Sequence, residues 1–237
     1  QDIGVRRPET LRSMVRILHH NLDHEILSTE FASEGSLSDN LNKFGTRLEP
    51  LKMLAVMKKI ALAVNAFHLA GYVHNDLKPA NILLNKTPNR DVEVLLADCG
   101  AASKHGERIK WVKGDAIYGS PFYMSHSRLA GEASRVEDDL FSLSQIYREI
   151  LAGHNILDKE FEGSPHSFNN KVSAILSAIA QHQFKDTDEL LLAIKMAEET
   201  FERGPGENKK LFFERFTREF LSTKDNATIE WSRPVLF

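Results

Sequence analysis

The stretch on which the interpretation of this sequence rests runs YVHNDLKPANILL from Tyr72 to Leu84, and ADCG follows it at residues 97–100. Either Asp76 or Asp98, taken alone, is most simply an ordinary helix-cap or turn aspartate. The two stretches together form a long and specific pattern, H-x-D-x-K-x-x-N followed by D-x-G, whose chance occurrence is remote. The pattern therefore indicates a functional site rather than a set of unrelated turns.

The segments on either side of this pattern predict a buried helix before it and a β-hairpin after it. Apolar residues recur every three or four positions from Leu51 to Leu69, which predicts a helix, and Gly71 is a typical stop signal. Two apolar runs at 82–84 and 92–96 flank a stretch of turn residues and predict paired strands.

The N-terminal part of the chain predicts two strands joined by a polar turn. Residues 14–18 form a short apolar run, and residues 25–31 alternate as a strand does. The predicted turn at 19–24 contains three histidines. A transition-metal site there is conceivable, but a solvated turn is the favoured interpretation. Ser36 is a candidate N-cap for the helix that follows.

The C-terminal half of the chain is predicted to be mainly helical. Between residues 100 and 135 no hydrophobic period is sustained, and such long irregular stretches are usually functional or disordered. Beyond them four sets of apolar residues each share one helical face: Leu140, Leu143, Tyr147 and Ile150; Val172, Ile175, Leu176 and Ile179; Leu190, Ile194, Ala197 and Phe201; Phe213, Phe216 and Phe220. Asp186 and Glu189 are placed as a capping box for the third of these helices.

The composition excludes several classes of protein. The 237 residues are 42% hydrophobic and 27% charged, which is ordinary for a globular domain. Lys and Arg total 30 against 33 Asp and Glu, and this near balance gives no support for a dedicated nucleic-acid binder. The single cysteine, Cys99, excludes an internal disulfide and a Cys-rich zinc site. With one cysteine, a reducing, cytoplasmic compartment is expected, and a secreted protein without disulfides is the alternative. No apolar run reaches the length of a membrane span, about 18 to 20 residues.

The two motifs resemble the catalytic loop and the metal-binding motif of the protein kinases. The resemblance extends over about residues 7–151 and implies an α+β, protein kinase-like fold, with a mainly α C-lobe and only part of the β-rich N-lobe. We expect a single domain over residues 1–237, in which 1–32 form the partial N-lobe and hinge and 33–237 form the C-lobe.

The resemblance implies a role for each polar residue of the two motifs, with ATP and Mg²⁺ as cofactors. Asp76 would accept the proton of the attacking hydroxyl, and Lys78 would lie beside the transferred γ-phosphoryl group. Asn81 and Asp98 would ligate Mg²⁺ through oxygen atoms, and Gly100 would let the backbone turn after the metal ligand. Phosphoryl transfer needs positioning and charge neutralisation more than covalent help, which explains these residue types.

The stretch that begins at Thr29 resembles the kinase hinge, which binds the adenine of ATP. Thr29 would be the gatekeeper. The Glu30 carbonyl and the Ala32 amide and carbonyl would pair with adenine, and Leu83 would form the floor under the adenine ring. Alone, this stretch could be any strand-to-helix turn, but its distance from the catalytic loop strengthens the resemblance.

Two downstream stretches resemble later parts of a kinase. Residues 118–124 resemble the end of an activation segment, in which Ser120 would hydrogen-bond the aspartate and lysine of the catalytic loop. Residues 138–143 resemble the start of the large buried helix of the C-lobe, in which Asp139 would hold the backbone of the catalytic loop. Without the resemblance, Asp139 is simply a charge at a helix N-terminus.

The resemblance also indicates the type of kinase. Lys78 and the Gly119-Ser120-Pro121 element are similar to serine/threonine kinases rather than tyrosine kinases. They also argue against small-molecule kinases such as aminoglycoside phosphotransferases, which lack this activation segment. The implied function is transfer of the γ-phosphate of ATP to a serine or threonine hydroxyl of a protein substrate.

Three positions depart from the family pattern. Asn75 stands where most kinases have an arginine that pairs with a phosphorylated activation loop. We therefore expect an enzyme that does not depend on loop phosphorylation and that is constitutive or controlled by a regulatory protein partner. Cys99 replaces the usual phenylalanine, and a redox role for it is the less favoured interpretation because buried cysteines are usually inert. Residues 125–127 read Ser-His-Ser in place of Ala-Pro-Glu, so the usual glutamate partner of a C-lobe arginine is missing.

The largest departure concerns the small lobe. A complete small lobe needs about 55 to 60 residues, but the second predicted strand already ends at Phe31, and no glycine-rich loop or strand lysine precedes it. Either an N-terminal part is missing, which Gln1 in place of Met favours, or the fold is a reduced kinase without its phosphate clamp. The alternative function is therefore a pseudokinase that acts as a protein-binding or scaffolding module. The departures are also similar to those of bacterial effector kinases that work in the host cytosol.

Overall fold

The computed structural model describes residues 13–21, 24, 26–44, 50–89, 91–108, 119–152, 178–180, 183–202 and 208–221. The strands are β1 Ile17–Asn21, β2 Ile26–Thr29, β3 Tyr72–Val73, β4 Ile82–Lys86, β5 Val92–Leu96 and β6 Ser103–Lys104. The α-helices include α1 Leu37–Phe44, α2 Pro50–Leu69, α3 His126–Leu129, α4 Val136–Ala152, α5 Thr187–Glu202 and α6 Asn208–Phe216. Short 3₁₀ turns occur at Pro79–Asn81, Cys99–Ala101 and Pro121–Tyr123, and a π-helical turn at Thr217–Leu221 follows α6.

Helix α2 lies at the centre of the main hydrophobic core. Its residues Met57 and Ile60 are fully buried, and they belong to one apolar cluster with residues of α4, α5 and α6. The buried hydroxyl of Tyr147 in α4 donates a hydrogen bond of 2.7 Å to the Met57 carbonyl, so this polar group is satisfied inside the core. The helix ends before Gly71, whose φ of 84° lies in the left-handed region that suits a helix stop. The predicted helix and its stop are both confirmed.

The β4–β5 hairpin places the two halves of the sequence motif side by side. The strands are antiparallel, with Ile82 opposite Leu96 at one end and Lys86 opposite Val92 at the other. This register puts the residue before β4 next to the residue after β5, and the Ala97 amide indeed donates to the Asn81 carbonyl at 2.9 Å. The predicted hairpin is confirmed, and it explains how two separate motifs meet.

Strands β1 and β2 form a separate antiparallel pair that runs from Ile17 opposite Thr29 to Asn21 opposite Ile26. Both predicted strands exist, but the predicted turn boundary is wrong, because His19 and His20 lie within β1. Their side chains are exposed, and an exposed strand does not require the apolar residues on which the prediction relied. A parallel bridge between Met14 and Leu96 joins this pair to the end of β5.

The C-terminal helices agree with the predicted apolar faces wherever they are described. The faces of α4 and α5 are buried, and so are Phe216 and Phe220, whose rings lie 4.9 Å apart. Ile179 is buried, whereas Val172, Ile175, Leu176 and the side chain of Phe213 lie outside the described residues. Within the described ranges, no helix combines the length and apolar character that crossing a membrane requires.

The capping box at the start of α5 forms only in part. The Asp186 carboxylate accepts a hydrogen bond of 2.8 Å from the Glu189 amide, as predicted. The Glu189 carboxylate accepts from the Lys185 amide at 2.7 Å rather than from the amide of Asp186. At α1 the reciprocal box is complete, because Ser36 Oγ accepts from the Asp39 amide and Asp39 Oδ2 accepts from the Ser36 amide. The predicted N-cap at Ser36 is confirmed.

Candidate active site

Asp139, in the first turn of α4, holds the backbone of the loop that contains Asp76. This carboxylate is fully buried. It accepts hydrogen bonds from two loop amides, His74 N at 2.8 Å and Asn75 N at 2.9 Å. A buried carboxylate that accepts backbone N–H bonds forms strong, charge-assisted contacts. The prediction that Asp139 holds the backbone of this loop is confirmed. A simple charge at a helix N-terminus would not explain these two hydrogen bonds.

His68 is a hydrogen-bonding neighbour of Asp139 that the sequence did not single out. Its Nε2 lies 2.9 Å from Asp139 Oδ2, and its Nδ1 lies 2.8 Å from Thr187 Oγ1. The residue thereby links α2, α4 and the start of α5. The sequence did offer a signal for this role, since His68 lies close to the apolar helix face that contains Val64 and Phe67. A histidine buried at such a position needs hydrogen-bond partners for both ring nitrogens.

The Asp76 carboxylate has one hydrogen-bonded oxygen and one oxygen without a hydrogen-bond partner among the described residues. Its Oδ2 accepts from Lys78 Nζ at 2.8 Å and from Asn81 Nδ2 at 3.1 Å. Asn81 Nδ2 also donates to the Asp76 carbonyl at 2.8 Å. The other oxygen, Oδ1, is buried and has no hydrogen-bond partner among the described residues. The structure therefore brings Asp76, Lys78 and Asn81 together and leaves Asp76 Oδ1 without a hydrogen-bond donor among the described residues.

Asp98 is the second residue after β5 and presents an exposed side chain. Its φ of 56° and ψ of 65° are in the left-handed region, which non-glycine residues adopt at a cost and often at functional positions. The backbone of Gly100 lies close to the Asp98 carboxylate, since a Cβ built on Gly100 would lie only 3.3 Å from Asp98 Oδ1. The hydrogen bond from the Ala97 amide to the Asn81 carbonyl puts the backbone that leads into Asp98 beside the loop that contains Asp76.

The oxygen atoms at this junction fit a magnesium ion. Both donor contacts of Asn81 come from Nδ2, so its Oδ1 takes part in no hydrogen bond among the described residues. The Asp98 carboxylate likewise has no hydrogen-bond partner within the described ranges. Those ranges contain no group of three or more His, Cys, Asp or Glu residues that could hold a metal ion. Few protein ligands suit Mg²⁺, which keeps several waters and binds substrate phosphates.

Asn75 ties the catalytic loop to the segment that follows Asp98. Its Nδ2 donates to the carbonyls of Val73 and Ala101, at 3.0 and 3.1 Å, and lies 3.1 Å from Ser103 Oγ. Its φ of 66° is in the left-handed region, which asparagine tolerates better than most residues. The position that departs from the family pattern therefore carries a buried side chain with three partners.

Cys99 has the environment of an unreactive thiol. It is half-buried, and burial together with the charges of Asp98 and Asp139 raises the pKa of its thiol to about 11. The thiolate is the form that reacts with oxidants and disulfides. A pKa above the ordinary value keeps the thiol protonated at neutral pH, which supports the interpretation of Cys99 as a packing residue.

The first half of the predicted hinge lies at the edge of the β1–β2 pair. Thr29 ends β2 and is exposed. Directly after it, the Glu30 amide donates to the Arg16 carbonyl at 2.8 Å, and the Glu30 carboxylate accepts from the Arg16 amide at 2.6 Å. The backbone at Glu30 is therefore fixed against the residue that precedes β1.

The second half of the predicted hinge turns onto β4. Ala32 is buried, and its carbonyl accepts a hydrogen bond of 3.1 Å from the Gly35 amide. Leu84 pairs with this turn, since its amide donates to the Gly35 carbonyl at 2.8 Å. Ser36 forms a bridge with Leu83, which is half-buried. The structure thus brings Leu83 next to the turn that follows Ala32.

The end of the predicted activation segment contacts the catalytic loop through Gly119 rather than through Ser120. Gly119 has a φ of 120°, which strains any residue with a Cβ, and a Cβ built there would lie 3.3 Å from Asp76 Oδ1. The hydrogen bonds of the described residues do not include the expected bonds from Ser120 to Asp76 and Lys78, and that expectation is wrong. The Ser120 carbonyl instead accepts from the Tyr123 amide at 2.9 Å, which begins a 3₁₀ turn.

Comparison of the sequence with known proteins finds protein kinases. A family model described as protein kinase domain matches residues 11–219. Citron Rho-interacting kinase of Homo sapiens is 34% identical over 155 residues, which cover 62% of this chain and 7% of that protein. Serine/threonine-protein kinase PkaB of Streptomyces coelicolor is 33% identical over 111 residues, which cover 45% of this chain and 26% of that protein. Serine/threonine-protein kinase PknH of Mycobacterium tuberculosis is 33% identical over 121 residues, which cover 51% and 18%.

The fold and the site define a protein kinase-like domain of the α+β class. Since the family model matches most of its length, this chain belongs to the protein kinase domain family. The predicted family and fold class are confirmed. The chain spans about a quarter or less of the length of these three relatives.

Proposed function

We propose that this chain transfers the γ-phosphate of ATP to a serine or threonine hydroxyl of a protein substrate. The observation that carries the proposal is the asymmetry of the Asp76 carboxylate. Lys78 and Asn81 restrain Oδ2, while Oδ1 is buried and has no partner among the described residues. A substrate hydroxyl is a donor that such an oxygen can accept, and the same oxygen can then take its proton.

The remaining polar groups serve the phosphate side of the reaction. Lys78 is within reach of the Asp76 carboxylate and supplies a positive charge beside the transferred phosphoryl group. Asn81 Oδ1 and the Asp98 carboxylate would hold Mg²⁺, which would supply positive charge beside the phosphates of ATP. The hydrogen bond from the Ala97 amide to the Asn81 carbonyl keeps the backbone next to Asp98 close to Asn81, which supports this pair as the proposed ligands.

The adenine site is proposed at the β2 end and the turn that follows it. Thr29 is the proposed gatekeeper, and Leu83 is the proposed floor of the site. The Glu30 carbonyl and the Ala32 amide are the proposed partners of adenine. The Ala32 carbonyl already accepts from Gly35, so its amide is the more available of its two backbone groups.

We further propose that activity does not require phosphorylation of the activation loop. In place of an arginine that would await a phosphate, Asn75 already binds Ala101 and Ser103 of the segment that follows Asp98. Phosphatase treatment is expected to leave the rate of substrate phosphorylation unchanged. The variant Asn75→Arg is also expected to remain insensitive to phosphatase, because one arginine does not recreate a phosphate-controlled loop. A phosphatase-sensitive rate in either protein would contradict this part of the proposal.

The central test compares Asp76→Asn with a matched control, Asp188→Asn, an exposed carboxylate at the start of α5. Incubation with Mg²⁺, radiolabelled ATP and myelin basic protein measures phosphotransfer. Loss of a general base lowers the rate by about 10²- to 10⁴-fold, so Asp76→Asn is expected to be about 10³-fold slower, with an unchanged melting temperature. The control is expected to match the unaltered protein.

Two outcomes would change the assignment. Equal rates in Asp76→Asn and the unaltered protein would remove Asp76 from the reaction. Mg²⁺-dependent ATP binding without any phosphotransfer in the unaltered protein would favour the alternative of a pseudokinase that acts as a protein-binding module.

A further inference from the structure

The end of the activation segment is anchored by a residue of α4 that the motif patterns do not reveal. Asp138 is only 4% exposed, although it is charged and lies in the first turn of the helix. Its Oδ1 accepts hydrogen bonds from Ser125 Oγ and, at 2.7 Å, from Ser127 Oγ. Its Oδ2 accepts from the Arg135 amide at 2.9 Å. One buried carboxylate therefore gathers two serines of the segment and the backbone that enters α4.

The two serines are themselves part of a local structure that depends on this carboxylate. Ser125 Oγ accepts from the Arg128 amide at 3.1 Å and so caps the short helix α3, and it lies 2.9 Å from Ser127 Oγ. A hydroxyl that accepts from the helix must donate elsewhere, and Asp138 is that acceptor. The cap of α3 and the anchor on α4 are thus one connected network.

The charge of Asp138 has a counterpart in the same region. The Arg128 side chain is buried, and burial lowers the pKa of its guanidinium, while the charges of Asp138, Asp76 and Asp139 act in the opposite direction. A buried charge is tolerated where an opposite charge and hydrogen bonds offset its desolvation. Asp138 therefore has both the hydrogen bonds and the nearby opposite charge that a buried carboxylate needs.

We propose that Asp138 is the positioning residue that fixes the end of the predicted activation segment, residues 119–127, beside Asp76. Together with Ser125 and Ser127 it performs the anchoring role of the glutamate that this chain lacks at position 127. This inference rests on the proposed function, because it assigns a role within the same phosphotransfer site.

The segment reaches the site through two further contacts. Ser142 Oγ of α4 donates to the Tyr123 carbonyl at 2.7 Å, which holds the middle of the segment to the same helix. At its other end Gly119 lies against Asp76 Oδ1, the proposed proton acceptor. Loosening the anchor at Asp138 therefore changes where a substrate hydroxyl meets Asp76. It does not touch Asn81 or Asp98, so binding of ATP is expected to be unaffected.

The test separates an effect on substrate positioning from an effect on ATP binding, with the variants Asp138→Asn and the milder Ser127→Ala. Glu137→Gln is the matched control, because Glu137 is exposed in the same helical turn. The assays are phosphorylation of myelin basic protein, hydrolysis of ATP without an acceptor, and amide hydrogen exchange. Loss of a hydrogen bond to a charged group corresponds to about a tenfold change or more, so we expect Asp138→Asn to raise KM for myelin basic protein by about tenfold. KM for ATP and the hydrolysis rate are expected to change less than about twofold.

Ser127→Ala is expected to move the same constants in the same direction by a smaller factor, and the control is expected to move none. Equal changes in KM for ATP and for myelin basic protein, or no change in a folded Asp138→Asn protein, would overturn the inference. Hydrogen exchange tests the anchor at Asp138 without relying on phosphotransfer, so the inference and the proposed function can fail independently. Even without phosphotransfer, exchange over residues 119–130 must be faster in Asp138→Asn and Ser127→Ala than in the control, and equal exchange would refute the anchor.

Discussion

The catalytic loop and the β1–β2 pair are held by different physical means. In the loop, His74 and Asn75 are buried, and their backbone amides are bound by Asp139 from a helix far along the chain. In the β1–β2 pair, the strands are joined by their own ladder, and the side chains of Ile26 and Leu27 are exposed. One region therefore depends on specific buried polar groups, and the other depends mainly on backbone hydrogen bonds.

This difference determines where a single substitution is felt. A buried acceptor that serves several donors leaves each of them unsatisfied when it is removed, and each loss is costly. An exposed side chain on a strand leaves the ladder intact when it is changed. Asp76, Lys78 and Asn81 lie in the first kind of region, whereas Asp98 and Thr29 have exposed side chains. The following substitutions test this contrast.

Asp139→Ala is expected to have the largest effect on stability. It leaves His74 N, Asn75 N and His68 Nε2 without their acceptor. Removing one partner of a buried charged network typically costs about 3–5 kcal/mol, which corresponds to a melting temperature lower by about 10 °C. Differential scanning calorimetry measures the shift. The exposed Glu137→Gln serves as the control, and a shift for Asp139→Ala no larger than that of the control would show that the loop is held by other contacts.

Substitutions of Asn75 are expected to have an intermediate effect. Asn75→Ala loses the hydrogen bonds to Val73, Ala101 and Ser103 and also places a Cβ residue without side-chain compensation at positive φ. We expect about 2–3 kcal/mol of destabilisation in urea unfolding. Asn75→Gly keeps the backbone conformation and loses only the side-chain bonds, so it is expected to cost about 1 kcal/mol less. If glycine were as costly as alanine, the positive φ would contribute nothing.

The smallest effect is expected in the β1–β2 pair. Leu27→Ser changes an exposed side chain and is expected to alter the free energy of unfolding by no more than about 0.5 kcal/mol. The matched control is Leu84→Ala in β4, where the side chain is 2% exposed and the expected cost is about 2–5 kcal/mol. Urea denaturation compares the two. A cost above about 1 kcal/mol for Leu27→Ser would erase the contrast between the two regions.

Much of the fold follows from local patterns in the sequence. The period of three and four in α2, the stop at Gly71, the β4–β5 hairpin and the cap at Ser36 are local features, because their causes lie within a few residues of each other. The strand boundary at His19 is different, since an exposed strand carries no apolar alternation to mark it.

The sequence by itself determined the candidates for the proposed phosphoryl transfer, because the motif that contains Asp76, Lys78 and Asn81 resembles a kinase catalytic loop and is short enough to form one loop. Only the tertiary structure decided which oxygen of Asp76 has no hydrogen-bond partner among the described residues, and which carboxylate, Asp138, binds Ser125 and Ser127. Such contacts join elements that are distant in the chain. They depend on how helices pack, and the packing is set by the whole core rather than by any local pattern.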